Sequence, residues 1–259
     1  MSVAEDQIQA RSARDTLRAR LAPLRAHPAL RAACESVAGA KGEATLSGLT
    51  PVAKGFVLAA VANDAGLPML VLTHDNESAD RLARTAATFL GWLGGRPDTI
   101  AALPAFDCSP YQGRSPHPEI LERRALALWN IARGRTRLVV APLASALGRF
   151  SEPSYYRSLA LELKPGDELI LADFAEHLAG IGYELSEPVT TPGQFSLRGG
   201  IVDVFPPEAE WPVRIEFFGD QIESLREFDP NSQRSRRAIL SALILPLSEV
   251  KRSQGLFRA

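Results

Sequence analysis

The sequence predicts an α/β lobe built on a parallel sheet, followed by a smaller α+β domain. From Ala44 to Pro142, apolar strand-like runs alternate strictly with helical patterns, which requires right-handed crossovers between parallel strands. The run "LPMLVLT" is continuously apolar, as suits a strand covered on both faces. Around Phe150 the texture changes to short β-rich segments at close spacing, the pattern of a small mixed domain. With 259 residues, 46% of them hydrophobic, the chain is long enough for more than one core.

Taken in order, Met1 to Leu21 is charged throughout and reads as an amphipathic helix rather than a signal peptide. "ATLSGL" reads as a strand, and "VAKGFVLAAVANDAG" as a helix closed by Gly66. "NESADRLARTAATFLGWLG" follows "LPMLVLT" as a helix with Asn76 as its cap. "TIAALP" is a strand, "PEILERRALALWNIARG" a helix ending at Gly134, and "RLVVAP" a further strand. Beyond "SEPSYYRS", "LALELKPGDEL" reads as strand and turn, and "DFAEHLAGIG" as a helix. "RIEFFGDQIESL" signals a hairpin through Gly219-Asp220, and "ILSALILPLSEV" returns to a buried-strand texture. The domains expected are 1–151, 152–231 and 232–259, the last an incomplete return to the first lobe.

Bulk properties exclude several classes. With 29 basic and 30 acidic side chains the net charge is −1, which gives no support to wholesale coating of nucleic acid. No apolar run reaches the ~20 residues of a spanning helix. Cys34 and Cys108 lie far apart without metal-ligand spacing, so reduced thiols in a cytoplasm, no metal and no cofactor are expected.

One segment nearly spells a phosphate-binding loop. In "SGLTPVAKGFV", Gly48 and Lys54 occupy the first-glycine and lysine positions of G-x-x-x-x-G-K-[ST]. Pro51 removes a backbone donor, Ala53 places a Cβ where glycine lets the chain approach phosphate, and Gly55 lacks the hydroxyl that would ligate Mg²⁺. No acidic motif follows an apolar strand to hold the metal. The loop is expected not to bind nucleotide, with residual ATP affinity through Lys54 as the rival reading.

"PGQFSLRGGIVDVFPP" and "RIEFFGDQIESLREFDPNSQRS", with "LPAFDCSPYQGRSPHPEILERRALALW" and "SGLTPVAKGF" before them, resemble the UvrB-like N-terminal module of the bacterial transcription-repair coupling factor (Mfd) family. That resemblance implies a degenerate P-loop, RecA/helicase-like lobe interrupted by a small domain that docks on UvrA. It implies no enzyme activity in this segment, although full-length family members are ATP-dependent DNA translocases. RNA polymerase and DNA would be reached only through parts of the full protein that are absent here. UvrB itself has an intact loop and a tyrosine-rich hairpin. Here only Phe106 and Tyr111 stand in that region, and loop packing is expected of both.

The resemblance assigns UvrA contact to Arg198 in "SLRGG", with Phe205 in "IVDVFP" as a nearby apolar contact. A planar arginine fork beside an aromatic is a common interface anchor. A solvated turn is open to Arg198, and the alternation in "IVDVF" equally admits Phe205 to the core. The arginine that the family often carries after its "GY" is missing from Tyr183, Glu184, Leu185, Ser186. Arg133, Arg135 and Arg137 form a basic segment that could meet DNA phosphates, although a helix C-terminus attracts cations in any case. His74-Asp75 lies at a strand's carboxyl end without a nucleophile near it in sequence. His117 reads as a rigid turn, and Asp203 and Glu216 as outward strand residues.

Overall fold

A computed structural model describes residues 15–39 and 43–252. The helix expected from Met1 lies outside the described residues as far as residue 14; residues 15–25 are helical (α1). The following elements are α2 (Pro28–Ala38), α3 (Pro51–Ala65), β1 (Met69–Thr73), α4 (Asn76–Trp92), β2 (Ile100–Ala102), α5 (Pro118–Ala132), β3 (Leu138–Pro142) and α6 (Leu143–Ala146). After these come α7 (Pro153–Leu159), β4 (Leu161–Leu163), α8 (Leu171–Gly180), β5 (Glu184–Leu185), β6 (Gln194–Arg198) and β7 (Ile201–Val204). The last strands are β8 (Val213–Phe218), β9 (Gln221–Phe228), β10 (Ser235–Ala238) and β11 (Ala242–Ile244). The expected α/β class is what forms, including a parallel sheet. Packing divides the described residues into two compact units, those up to 105 together with 134–149, and 106–133 together with 150–252.

In the first unit the parallel sheet has the order β1-β3-β2. Helix α4 carries Ala79, Ala83, Ala86 and Leu90 along one stripe, and the alanines pack against Leu138 and Val140 of β3. Small side chains there let helix and sheet approach closely. Thr50 caps α3, whose first residue is Pro51, and left-handed Gly66 closes it.

Three expectations are corrected here. The run "ATLSGL" forms no strand: it is largely exposed, Gly48 turns it at φ +73°, and no neighbouring strand offers it a ladder. Strand β1 is covered on one face only within this unit, since Leu70 and Leu72 are 58% and 51% exposed. The α4 cap is Asp75, whose carboxylate accepts the Ser78 N–H at 2.8 Å. Asn76 is instead the first helical residue, and its side chain both donates to and accepts from the Ala105 backbone.

The second unit centres on a six-stranded sheet of order β10-β9-β8-β7-β6-β5, antiparallel except for the β5–β6 pair. The expected hairpin joins β8 to β9 with Gly219 at φ +62°. Helix α5 packs on α7 in this unit. The stretch after Ser232, read as a return to the first lobe, is also folded here: β10 extends the sheet and β11 pairs with β4. Residues 245–252 are then held by backbone bonds from Leu247 to Ile181 and from Arg252 to Gly180. The Tyr183 hydroxyl donates to the Leu245 carbonyl at 2.9 Å, and buried Arg124 pairs with Glu249 at 2.7 Å. His177 sits between the Leu159 carbonyl (3.0 Å) and the Lys251 ammonium (3.2 Å). Among the described residues no helix is long and apolar enough to cross a membrane.

Two predictions follow from this packing. A Cβ on Gly55 would lie 2.5 Å from Thr85 Cγ2, so Gly55 is what lets α3 meet α4. Gly55→Ser, which restores the hydroxyl of a phosphate loop, is expected to cost about 1–3 kcal/mol in urea unfolding, with part recovered by Thr85→Ala. For His177, burial lowers the pKa, the Leu159 carbonyl opposes that shift, and Lys251 adds to it. The folded state therefore favours the neutral ring, and its contribution is present above the ordinary histidine value and lost as pH falls below about 6.5. Chemical denaturation at about pH 7.5 and about pH 5.5 should show a smaller acid-side loss for His177→Gln than for the wild type.

Candidate functional site

The β6–β7 hairpin turns on two glycines that have different tasks. Gly199 adopts φ +58°, a region glycine enters without strain. A Cβ on Gly200 would stand 3.0 Å from the Phe217 carbonyl oxygen, and the Phe217 N–H donates to the Gly200 carbonyl at 2.8 Å. The turn is thereby pinned to β8, and the register is fixed. Ser196, Asp203, Arg214 and Arg226 lie opposite one another across four strands, and Arg198, Ile201, Glu216 and Ser224 form the adjacent row. Directly paired residues share a face, so this face of the sheet is polar.

At its centre the Asp203 side chain is 1% exposed. Arg214 grips it with two bonds, Nε to Oδ1 at 2.7 Å and Nη2 to Oδ2 at 2.8 Å. Arg198 Nη2 donates to the same Oδ2 at 3.0 Å. The hydrogen bonds to Asp203 hold Arg214 even more firmly protonated than a free arginine, against the effect of its partial burial. Arg214 also lies over the Phe228 ring at 4.8 Å, which leaves it little freedom. Arg198 differs: its side chain is 47% exposed, and Glu187 approaches its Nε at 3.6 Å. Asp203 holds Nη2 and Glu187 stands against Nε, yet nearly half of the side chain stays exposed, and a guanidinium has further N–H donors for another carboxylate.

Phe205 is not at this surface. It is 7% exposed and packs with Val189 and Phe228, so it supports the hairpin from within. The apolar neighbour of Arg198 is Ile201, its direct cross-strand partner. Sequence reading missed Ile201 and Arg214, although counting alternation outward from the Gly-Gly turn would have placed both.

The other candidates are not assembled into sites. At α3, Pro51 has no N–H, Ala53 donates to Thr50 Oγ1 at 3.3 Å, and Lys54 donates to the Thr50 carbonyl at 3.0 Å. Among the first four amides of the helix, only that of Val52 remains for a phosphate. Arg133 stacks over Trp129 at 4.7 Å, and Arg133, Arg135 and Arg137 are all exposed. His74 Nε2 meets both Asp75 (3.1 Å) and Ser78 (3.4 Å) through the same nitrogen. A nucleophilic relay needs its two partners on opposite ring nitrogens. Hydrogen bonds from Ser78 lower the Asp75 pKa, consistent with its capping role. Phe106 lies against Arg124 at 4.1 Å, but Tyr111 is 97% exposed and takes no part in loop packing. No group of three or more metal-ligating side chains occurs among the described residues.

Residues 161–249, which contain this face, match the family model of the UvrB interaction domain. The transcription-repair-coupling factor of Myxococcus xanthus is 36% identical over 205 residues, 78% of this chain and 17% of that protein. Those of Haemophilus influenzae and Bacillus subtilis are 29% and 28% identical over 79% and 80% of the chain, each again 17% of its own length. The chain is a UvrB-like module of the transcription-repair coupling factor family. It spans less than a fifth of the length of these relatives, and the polar hairpin face lies inside the part that the family model matches.

Within the module, removing the carboxylate should be costly, because it strands two guanidiniums on a packed sheet. Asp203→Ala is expected to destabilise the fold by about 3–5 kcal/mol in urea unfolding. The single substitution Arg198→Ala, which leaves the Arg214–Asp203 pair intact, should cost less than about 1 kcal/mol.

Proposed function

We propose that this chain is a docking module that recruits UvrA in transcription-coupled nucleotide excision repair, without ATPase activity of its own. The observation that carries this reading is the half-exposed Arg198 fork, aimed by the buried Asp203 carboxylate and flanked by Ile201. A fixed guanidinium beside an apolar residue forms a bidentate contact at low entropic cost. Arg198 is the proposed UvrA contact, and buried Phe205 belongs to the core formed with Val189 and Phe228. The degenerate P-loop lobe is a RecA/helicase-like scaffold. RNA polymerase and DNA are partners of the longer protein, which acts in the cytoplasm.

The amides spent within α3 favour docking over residual nucleotide binding. Binding to immobilised UvrA tests the proposal. Wild type should bind saturably, and Arg198→Ala at least tenfold more weakly, a change of about 1.4 kcal/mol. Absence of wild-type binding would defeat the function, while equal binding of both proteins would defeat the site. Calorimetry with Mg·ATP should give no binding heat; affinity that Lys54→Ala abolishes would overturn the reading of the loop.

A further inference from the structure

The space beside the failed phosphate loop is not filled. Within the first unit, α3, β1 and α4 enclose a cleft of about 440 Å³, in the size range of small-molecule sites. It opens at the carboxyl end of β1, where open α/β sheets place their ligands. Leu49, Val57, Val71, Leu72 and Leu82 supply apolar walls.

The charged lining has one sign. Lys54 and Arg81 border the cleft beside the His74 ring, and no carboxylate does. Arg81 is bonded to Glu77 at 3.1 Å, so part of its charge is already met, and the His74 ring lies 3.1 Å from Asp75. Lys54 has no carboxylate partner among the described residues, and it projects from the first turn of α3 beside the apolar wall.

This combination suits one negative charge and does not suit a chain of phosphates. A polyphosphate needs several free amides and a metal-binding hydroxyl. Among the first four positions of α3 Val52 alone keeps its amide free, and Gly55 stands where the hydroxyl would be, packed on Thr85. An apolar body can still displace water from the leucine and valine walls, with a single ammonium to meet its charged end.

We infer that this cleft binds a small amphipathic monoanion, an aliphatic or aromatic body bearing one carboxylate or sulfonate that pairs with Lys54. The site is independent of the docking face in the second unit.

The probe is 8-anilinonaphthalene-1-sulfonate, an aromatic monoanion whose fluorescence reports transfer from water to an apolar site. Titration into the chain should be saturable with one site. Lys54→Glu and Leu72→Glu, both at exposed positions that tolerate substitution, should each weaken binding about tenfold or more while circular dichroism is unchanged. Leu185→Glu, an exposed leucine of the second unit, serves as the control and should leave binding as in the wild type. Mg·ATP should not displace the dye. Binding that survives both cleft substitutions, falls equally with Leu185→Glu, or is displaced by Mg·ATP would overturn the inference.

Discussion

A carboxylate removed from water requires compensation by cations or hydrogen bonds, and in the second unit Asp203 imposes that requirement on three strands at once. Arg214 reaches it from β8 and Arg198 from β6, so satisfying one side chain also fixes the pairing of β6, β7 and β8. The Gly199-Gly200 turn serves the same end. One glycine takes a left-handed conformation and the other lies against the Phe217 carbonyl, which leaves the hairpin a single register. The exposure of Arg198 is a by-product of this arrangement: the residue that helps compensate Asp203 also keeps nearly half of its side chain in solvent. A lysine at that position could not bridge Asp203 and a second acid with a planar fork.

In the first unit, a segment whose sequence nearly spells a phosphate loop lacks the groups that would grip phosphate. Thr50 and Pro51 make a good helix start, and a good helix start of this type consumes the amides that phosphate would use. Gly55, where a phosphate loop carries a hydroxyl, instead allows close contact between α3 and α4. Capping and packing here use the atoms that a nucleotide site would need.

The sequence made some of these features legible and concealed others. Alternation of apolar runs and helical patterns was enough for the parallel sheet, and Gly219-Asp220 was enough for the β8–β9 hairpin. Arg198 was singled out only through the resemblance carried by "SLRGG". Phe205 was assigned to the surface through the resemblance, whereas the alternation in "IVDVF" equally admitted it to the core, where Val189 and Phe228 pack with it. "ATLSGL" has strand-like residues but no pairing partner, and a ladder requires two strands. The cap on α4 moved from Asn76 to Asp75 because both are good caps, and the Ala105 backbone claims the first. The grouping of α5 and of residues 245–252 depends on the Arg124–Glu249 and Tyr183–Leu245 contacts, which span 125 and 62 positions and leave no local trace in the sequence.

The central claim is that the Arg198–Asp203 face of the β6–β8 sheet is the surface that meets UvrA. Hydrogen–deuterium exchange of the chain, alone and with UvrA, addresses it directly. The account predicts slowed exchange confined to the hairpin around residues 196–203 and the facing segment of β8. Protection that falls instead on α3 and α4, with the hairpin unchanged, would contradict it.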